Sequence, residues 1–285
     1  MLKTYSHNDA DAKSLLPEIS KYTEMAQTMK LPFWIFTEES NPIGIVTTGK
    51  EPIQLLAPIG TPFALVDLIR KDWSRNVLKD FASQALKFAL ERKAEYITIE
   101  LASKEEDAVD SFLDADFKVL ADTFTMTLKL DRKFDSPESL RFAMAQKREM
   151  LKWIELACKF LSGSADVVME RILGHLSNMP ENILEMYYSL ERFYFANEND
   201  HEIGILNFSS EAGRISNVGV HPARRGQGYG RQIMLFGLRQ LKDAGCKQAK
   251  LRVHIDNKPA LKLYESLGFE VAERRKFLIW EKREA

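Results

Sequence analysis

Cysteine is scarce in this chain of 285 residues, which has only Cys158 and Cys246. They lie far apart without metal-ligand spacing, which excludes a disulfide framework and a cysteine-built zinc site and fits a reducing compartment. Net charge is also nearly absent. Forty Lys and Arg against 41 Asp and Glu leave −1, so no global field exists to hold a polyanion, and neither nucleic acid nor an anionic membrane is an expected partner. A local basic pocket remains open. No apolar run approaches the roughly 20 residues of a membrane-spanning helix. The start, Met1 to Asp9, turns polar and acidic where a signal peptide needs an apolar stretch. The chain is therefore expected to be soluble and cytoplasmic. Its composition, 45% hydrophobic and 28% charged, is that of an ordinary globular protein, long enough for two domains.

An internal repeat organises the chain. Ile97-Thr98-Ile99-Glu100-Leu101 falls on Ala249-Lys250-Leu251-Arg252-Val253 at a shift of 152 residues, and both alternate apolar with polar as half-buried strands do. Without a gap, Ala108-Val109 falls on Ala260-Leu261, Phe112 on Tyr264, Phe117 on Phe269, Val119 on Val271, and Met126 and Leu128 on Leu278 and Trp280. Two copies of one α/β unit are expected. Each opens on a hairpin. Phe33–Phe36 and Ile43–Val46 flank a polar turn, as do Phe193–Phe195 and Ile203–Leu206. The charged stretch Asp131–Pro137 and the helix start Ser136-Pro137-Glu138 place a boundary between domains 1–132 and 133–285. Helical spacing then covers Leu140–Leu161 and Val167–Leu190, interrupted by Ser162-Gly163-Ser164 and Pro180.

Residues 214 to 245 carry the chemistry. A strand, Arg214–Val220, leads through His221-Pro222-Ala223-Arg224-Arg225-Gly226-Gln227-Gly228-Tyr229-Gly230 into a helix from Arg231 to about Ala244 that stops before Gly245. A glycine-rich turn at a helix N-terminus gathers unpaired N–H groups and the positive end of the helix dipole, which is a phosphate site. Gly228 and Gly230 let the backbone approach a pyrophosphate, with Arg224, Arg225 and Arg231 supplying charge. The spacing is neither a Walker loop nor the dinucleotide pattern Gly-x-Gly-x-x-Gly.

Arg225-Gly226-Gln227-Gly228-Tyr229-Gly230, followed by Asn257, then Ala260-Leu261-Lys262-Leu263-Tyr264 and Gly268-Phe269, resembles the GCN5-related N-acetyltransferases (GNAT). The resemblance is tight over about Glu191–Lys282 and reaches the first half through the repeat. It implies an α/β fold of two tandem GNAT-like domains, each a mixed, mainly antiparallel sheet flanked by helices, with the first copy degenerate. The layout is similar to the mycothiol synthase type.

The resemblance further implies an acetyl-CoA-dependent N-acyltransferase in which a primary amine attacks the thioester directly in a ternary complex, without a metal. Backbone at Val218, Gly219 and Val220 would hold the pantetheine arm. The N–H groups of Arg225, Gly226, Gln227, Gly228, Tyr229, Gly230 and Arg231 would hold the pyrophosphate, and Asn257 the cofactor arm. Tyr264 matches the tyrosine that protonates the leaving thiolate. His254 is the first candidate for general base, ahead of Glu202 and His221. Asn257 also reads as a helix cap, Tyr264 as a packing aromatic and His254 as a structural strand histidine. The acceptor is expected to be a small-molecule amine rather than a protein. A non-catalytic acyl-CoA-binding or regulatory scaffold is the competing function.

In the first copy, Trp73, Asn76 and Leu78 stand where the second has Arg225, Gly228 and Gly230. Glu105 stands for Asn257 and Phe112 for Tyr264, so this copy is expected to keep the fold without binding CoA in the usual way. Trp34, Phe36 and Trp73 are its exposed-aromatic candidates, with core packing the alternative.

Overall fold

The computed structural model describes residues 2–52, 56–69, 72–135, 139–163, 165–175 and 181–282. In chain order its elements are β1 (Lys3–Ser6), α1 (Ala10–Thr28), β2 (Phe33–Glu38), β3 (Asn41–Lys50), β4 (Pro62–Leu68), α2 (Arg75–Glu91), β5 (Tyr96–Ala102), α3 (Glu106–Asp114) and β6 (Lys118–Lys129). There follow β7 (Arg141–Met144), α4 (Met150–Leu161), α5 (Val167–His175), α6 (Glu181–Leu190), β8 (Arg192–Glu198), β9 (His201–Ser209), β10 (Arg214–Val220), α7 (Tyr229–Asp243), β11 (Gln248–His254), α8 (Lys258–Ser266) and β12 (Glu270–Glu281). The repeat is visible directly. The pairs β4 and β10, β5 and β11, α3 and α8, and β6 and β12 each start 152 residues apart, as Pro62 and Arg214 do.

The chain forms two compact units. The first comprises Met1–Pro52, Ala57–Asp122 and Arg274–Ala285. Its sheet runs β1-β2-β3-β4-β5-β12, antiparallel except for the parallel β4–β5 pair. Strand alternation divides its side chains between two helical layers. Phe33, Ile35 and Ile45 pack with Ile19 and Ala26 of α1, while Phe36 and Val46 pack with Leu78, Phe81 and Ala85 of α2.

The second unit contains Thr123–Glu273. Its sheet runs β6-β11-β10-β9-β8-β7, again with one parallel pair, β10–β11. Phe193, Phe195 and Ile205 pack with Trp153, Ile154 and Ala157 of α4. Leu206, Phe208 and Ile215 pack with Ile233, Met234, Leu238 and Leu241 of α7. Each such fully buried apolar side chain contributes roughly 1.5–3 kcal/mol of transfer free energy. Both units are thus mixed, mainly antiparallel sheets flanked by helices.

The closing strands are exchanged. β12, from the end of the chain, pairs antiparallel with β5 over Arg275↔Ala102 to Glu281↔Tyr96, and β6, from the first copy, pairs with β11 over Gln248↔Lys129 to His254↔Thr123. A single cut at 132/133 does not describe this division.

The two hairpins form as their polar turns predict, β2–β3 and β8–β9. Helix α7 begins at Tyr229, two residues before the expected Arg231, and ends before Gly245, whose φ is +85°. The helical spacing read over Leu140–Leu161 is corrected at its start: Arg141–Met144 is an edge strand paired with β8, and α4 begins only at Met150. There the free edge of β8 offers backbone partners, and Phe142 stacks on Phe236 of α7 with ring centroids 3.9 Å apart, a tertiary gain that outweighs local spacing. The helix start at Ser136–Glu138, Ser164 and the break at Pro180 lie outside the described residues. Among the described residues, no helix is long and apolar enough to cross a membrane. Phe36 is 1% exposed, and Trp34 and Trp73 pack against the first unit's core, so the core alternative holds for all three.

Candidate functional site

The site begins with a failure of pairing. β10 and β11 are parallel neighbours, yet they are in register only at Arg214↔Lys250, and beyond that point the strands separate. A bulge on β10 accompanies the separation. Ile215 faces Phe208 and Asn217 faces Asn207, so Ser216 has no counterpart on β9. The bulge rephases the strand, because Ile215, Val218 and Val220 all turn to the α7 core, which strict alternation from Ile215 would not allow. The gap becomes a cavity of about 600 Å³, walled by both strand edges, the α4–α5 connection, the loop before α7, and α8.

At one end stands the glycine loop. Gly226 and Gly228 have φ of +77° and +85°, left-handed values that only glycine adopts without strain, and a Cβ on either would meet nothing within 4 Å. Glycine there is required by backbone geometry and leaves the approach open. Gly228 is the N-cap of α7. The N–H groups of Gly226, Gln227, Gly228, Tyr229 and Gly230 have no acceptor among the described residues, whereas Arg225 N–H is bonded to Pro222 O at 3.3 Å and Arg231 N–H to Gly228 O at 3.1 Å. The free donors and the helix dipole converge there, which suits an anion. Gly230 has a different role. A Cβ would come 3.3 Å from Leu263 Cδ2, so its bareness lets α7 pack beside α8.

The three arginines differ. Arg225 donates from Nε to Val220 O at 3.3 Å and from Nη2 to Phe160 O at 2.9 Å. Phe160 lies in the last turn of α4, where carbonyls lack helical partners, so Arg225 caps that helix and ties it to the end of β10. Arg224 pairs with Glu198 at 3.2 Å, and Tyr229 donates to the same carboxylate, which joins the β8–β9 hairpin to the loop. Arg231 reaches Ser266 Oγ at 3.2 Å. All three arginines line the cavity.

Asn257 caps α8, its Oδ1 accepting from Ala260 N–H at 3.3 Å. The cap orients its side chain on the cavity wall. Tyr264, one turn from the end of α8, packs near Phe269 with ring centroids 5.9 Å apart and also lines the cavity. Its hydroxyl has no hydrogen-bond partner among the described residues, and burial pushes its pKa up to about 12. His254 ends β11 on the same wall. Its Nδ1 accepts from Asp256 N–H at 3.2 Å and lies 3.8 Å from Asp256 Oδ2. A neutral ring in this arrangement carries its proton on Nε2.

The other two base candidates stand elsewhere. Glu202 is held by Lys152, whose bond to it keeps the carboxyl below its ordinary range. His221 accepts from Ala223 N–H at 3.2 Å and lies edge-on to Phe160. Neither lines the cavity. Of the remaining site residues, Val218 and Val220 line it, while Gly219, Gln227 and Tyr229 do not. A Cβ on Gly219 would meet Phe160 Cβ at 3.0 Å, so this glycine admits α4 instead.

Sequence reasoning missed the wall formed by Phe160–Gly163, Asp166 and Met169, and the contributions of Ser216, Asn217 and Arg252. No motif marks the α4–α5 segment. The cue for Ser216 was the polar pair Ser216-Asn217 inside an otherwise apolar strand. Among the described residues, no group of three His, Cys, Asp or Glu is placed to hold a metal.

In the first unit the matching gap is narrower. β4 and β5 stay in register over four pairs, Phe63↔Tyr96 to Val66↔Ile99, with no bulge between β4 and β3. Leu78 and Phe112, where the second copy has Gly230 and Tyr264, are buried in the core. A smaller cavity of about 300 Å³ includes Asp67, Glu100 and Glu105. Lys21 and Arg275 line it as well, Arg275 paired with Glu100 at 3.0 Å, so the cavity is of mixed charge.

Residues 168–269 match the acetyltransferase (GNAT) family. A mycothiol acetyltransferase of Nocardiopsis dassonvillei is 32% identical over 106 residues, 33% of this chain and 32% of that protein. The match thus spans about a third of that relative, and matches to other mycothiol acetyltransferases span less. The fold is similar over nearly the whole chain to a GCN5-related N-acetyltransferase from Sphaerobacter thermophilus, at TM-score 0.64 and 15% identity, covering 99% of this chain and 96% of the other. It is also similar to a tandem GNAT protein from the clavulanic acid biosynthesis pathway, at TM-score 0.62 and 14% identity over 100% of both chains.

Proposed function

With residues 168–269 belonging to the GNAT acetyltransferase family, we propose that this protein is an acetyl-CoA-dependent N-acetyltransferase acting through its second unit on a primary amine. The observation that carries the reading is one cavity that holds the free N–H groups of the Gly226–Gly230 loop, the unpaired edge of β10 and the Tyr264 hydroxyl together. The loop fits a pyrophosphate by charge, donor number and open approach. Acetyl-CoA, when bound, supplies the activated acetyl thioester.

The free N–H groups between Gly226 and Gly230 hold the anion, and the β10 edge at Val218–Val220 orients the arm and donates to the carbonyl on which charge develops. Asn257, with Oδ1 used in its cap, offers its amide N–H to the arm. Tyr264, at about 12, is a weaker acid than an ordinary thiol near 8.5. It keeps its proton and stabilises the leaving thiolate as a hydrogen-bond donor, and the thiolate takes its own proton from solvent as product leaves. His254 takes the amine proton, directly or through one water. For that the ring takes the tautomer with its proton on Nδ1, giving up the bond from Asp256 N–H and facing the Asp256 carboxylate 3.8 Å away, and Nε2 becomes the base.

The mycothiol acetyltransferase relatives support a small-molecule amine over a protein acceptor. The two thiols, neither in a disulfide, fit a cytoplasmic protein. The first unit, with its zipped strands and with Leu78 and Phe112 buried in its core, serves as a structural partner that does not bind CoA in this manner. The two domains of this reading are the degenerate copy up to about 132 and the catalytic copy from about 133, each completed by the other's last strand.

Calorimetric titration of acetyl-CoA tests the proposal. One site per chain is expected, lost in Gly228→Glu and kept in Tyr264→Phe. Two sites would overturn the assignment of the first unit, and no site would favour a scaffold over an enzyme.

A further inference from the structure

Glu191, between α6 and β8, is 7% exposed, and its carboxylate is fully engaged. Oε1 accepts from Arg214 Nη2 and from Ser216 Oγ, both at 2.7 Å, and Oε2 accepts from Asn207 Nδ2. Asn207 Oδ1 accepts in turn from Asn217 Nδ2 at 2.8 Å, and Arg214 Nε reaches Ser216 Oγ at 3.2 Å. One buried carboxylate therefore holds the residue before the bulge pair, the bulged residue, and the partner of the residue after it.

A bulge competes with the regular ladder one residue away. Without Ser216 looped out, β10 would slide by one position against β9. Val218 and Val220 would then turn from the α7 core, and Asn217 and Gly219 would turn toward it. Hydrogen bonds to a buried carboxylate are charge-assisted and costly to leave unmade, so they bias that competition. Ser216 and Asn217 both line the cavity, which places the network directly behind the open edge of β10.

We infer that Glu191 is a positioning residue: its carboxylate holds the Ser216 bulge, and through the bulge the separation of β10 from β11 that makes the cleft. The inference about the bulge stands on geometry; its consequence for acetyl-CoA rests on the function proposed above.

The test compares the full-length wild-type protein with Glu191→Ala, Glu191→Gln and Ser216→Ala, first without ligand. In Glu191→Ala, amide hydrogen exchange across residues 215–220 should accelerate at least tenfold while the α7 amides at 233–241 keep wild-type rates. Glu191→Gln, which retains shape and one acceptor, should fall between. Acetyl-CoA should bind Glu191→Ala at least tenfold more weakly. Unchanged exchange at 215–220, or acceleration spread equally over α7, would overturn the inference, the latter marking a residue that merely stabilises the unit. If Glu191→Ala does not fold, Ser216→Ala decides by the same local exchange. If the wild type binds no acetyl-CoA, the proposed function fails while the exchange comparison still judges the bulge.

Discussion

Asp67 shows how one substitution in the degenerate copy changes the physics of a position. It stands 152 residues before Gly219, and burial, with Glu100 nearby, raises its carboxyl from 3.8 to about 6. The protonated form suits the folded state, so this contribution is complete below pH 3.8 and lost as pH rises through 6. Asp67→Asn should therefore stabilise the protein at pH 8 by up to about 3 kcal/mol and leave it unchanged at pH 3.5, which urea unfolding at both values would check. In the second copy, Tyr264→Phe should retain acetyl-CoA affinity within a few fold and lower turnover by about 10²-fold in a thiol-release assay. His254→Gln should depress turnover near neutral pH, with recovery at alkaline pH, where the amine loses its proton unaided, which a pH–rate profile of the variant would check. The loop glycines, Asn257, Tyr264 and His254 were legible because their types and spacing are tied to chemistry. The dual use of Asn257 and the tautomer of His254 were not legible, since both depend on neighbours placed by folding.

Among the elements, the loop before α7 is set by backbone conformation and the cleft by a bulge. Gly228→Ala forces a side chain into the left-handed region at a cost of about 1–2 kcal/mol. Because open space surrounds that Cβ, it should lower the melting temperature modestly and weaken acetyl-CoA binding, a pairing that scanning calorimetry with and without ligand would reveal. Arg225 sits at the first position of the family's loop pattern, and its side chain caps α4. Arg225→Met should cost about 1 kcal/mol in stability and speed amide exchange near residues 158–163. Strand, loop and helix order was readable from periodicity and glycine placement. The strand at Arg141–Met144 was hidden by helical spacing, and the bulge at Ser216 by an apparently regular strand. In each case pairing with a distant segment overrode the local pattern.

At the scale of the molecule, two copies of one unit do not fold as two consecutive beads. Each sheet is closed by the last strand of the other copy, with seven residue pairs on β5–β12 and seven on β6–β11. A fragment of residues 133–285 would leave the β11 edge bare and carry β12 without its β5 partner. Expressed alone it should aggregate or unfold without cooperativity, and the 1–132 fragment likewise, whereas co-expression should restore a soluble pair detectable by size exclusion. By itself the sequence determined the repeat, the glycine loop and the absence of those glycines from the first copy, because these reside in residue type and local spacing. Only the tertiary structure decided which strand closes which sheet, where β10 slips its register, and which side chains wall the cleft. Backbone hydrogen bonds between strands are nearly indifferent to side-chain identity, so residue type and spacing in β6 and β12 do not say which edge each one closes.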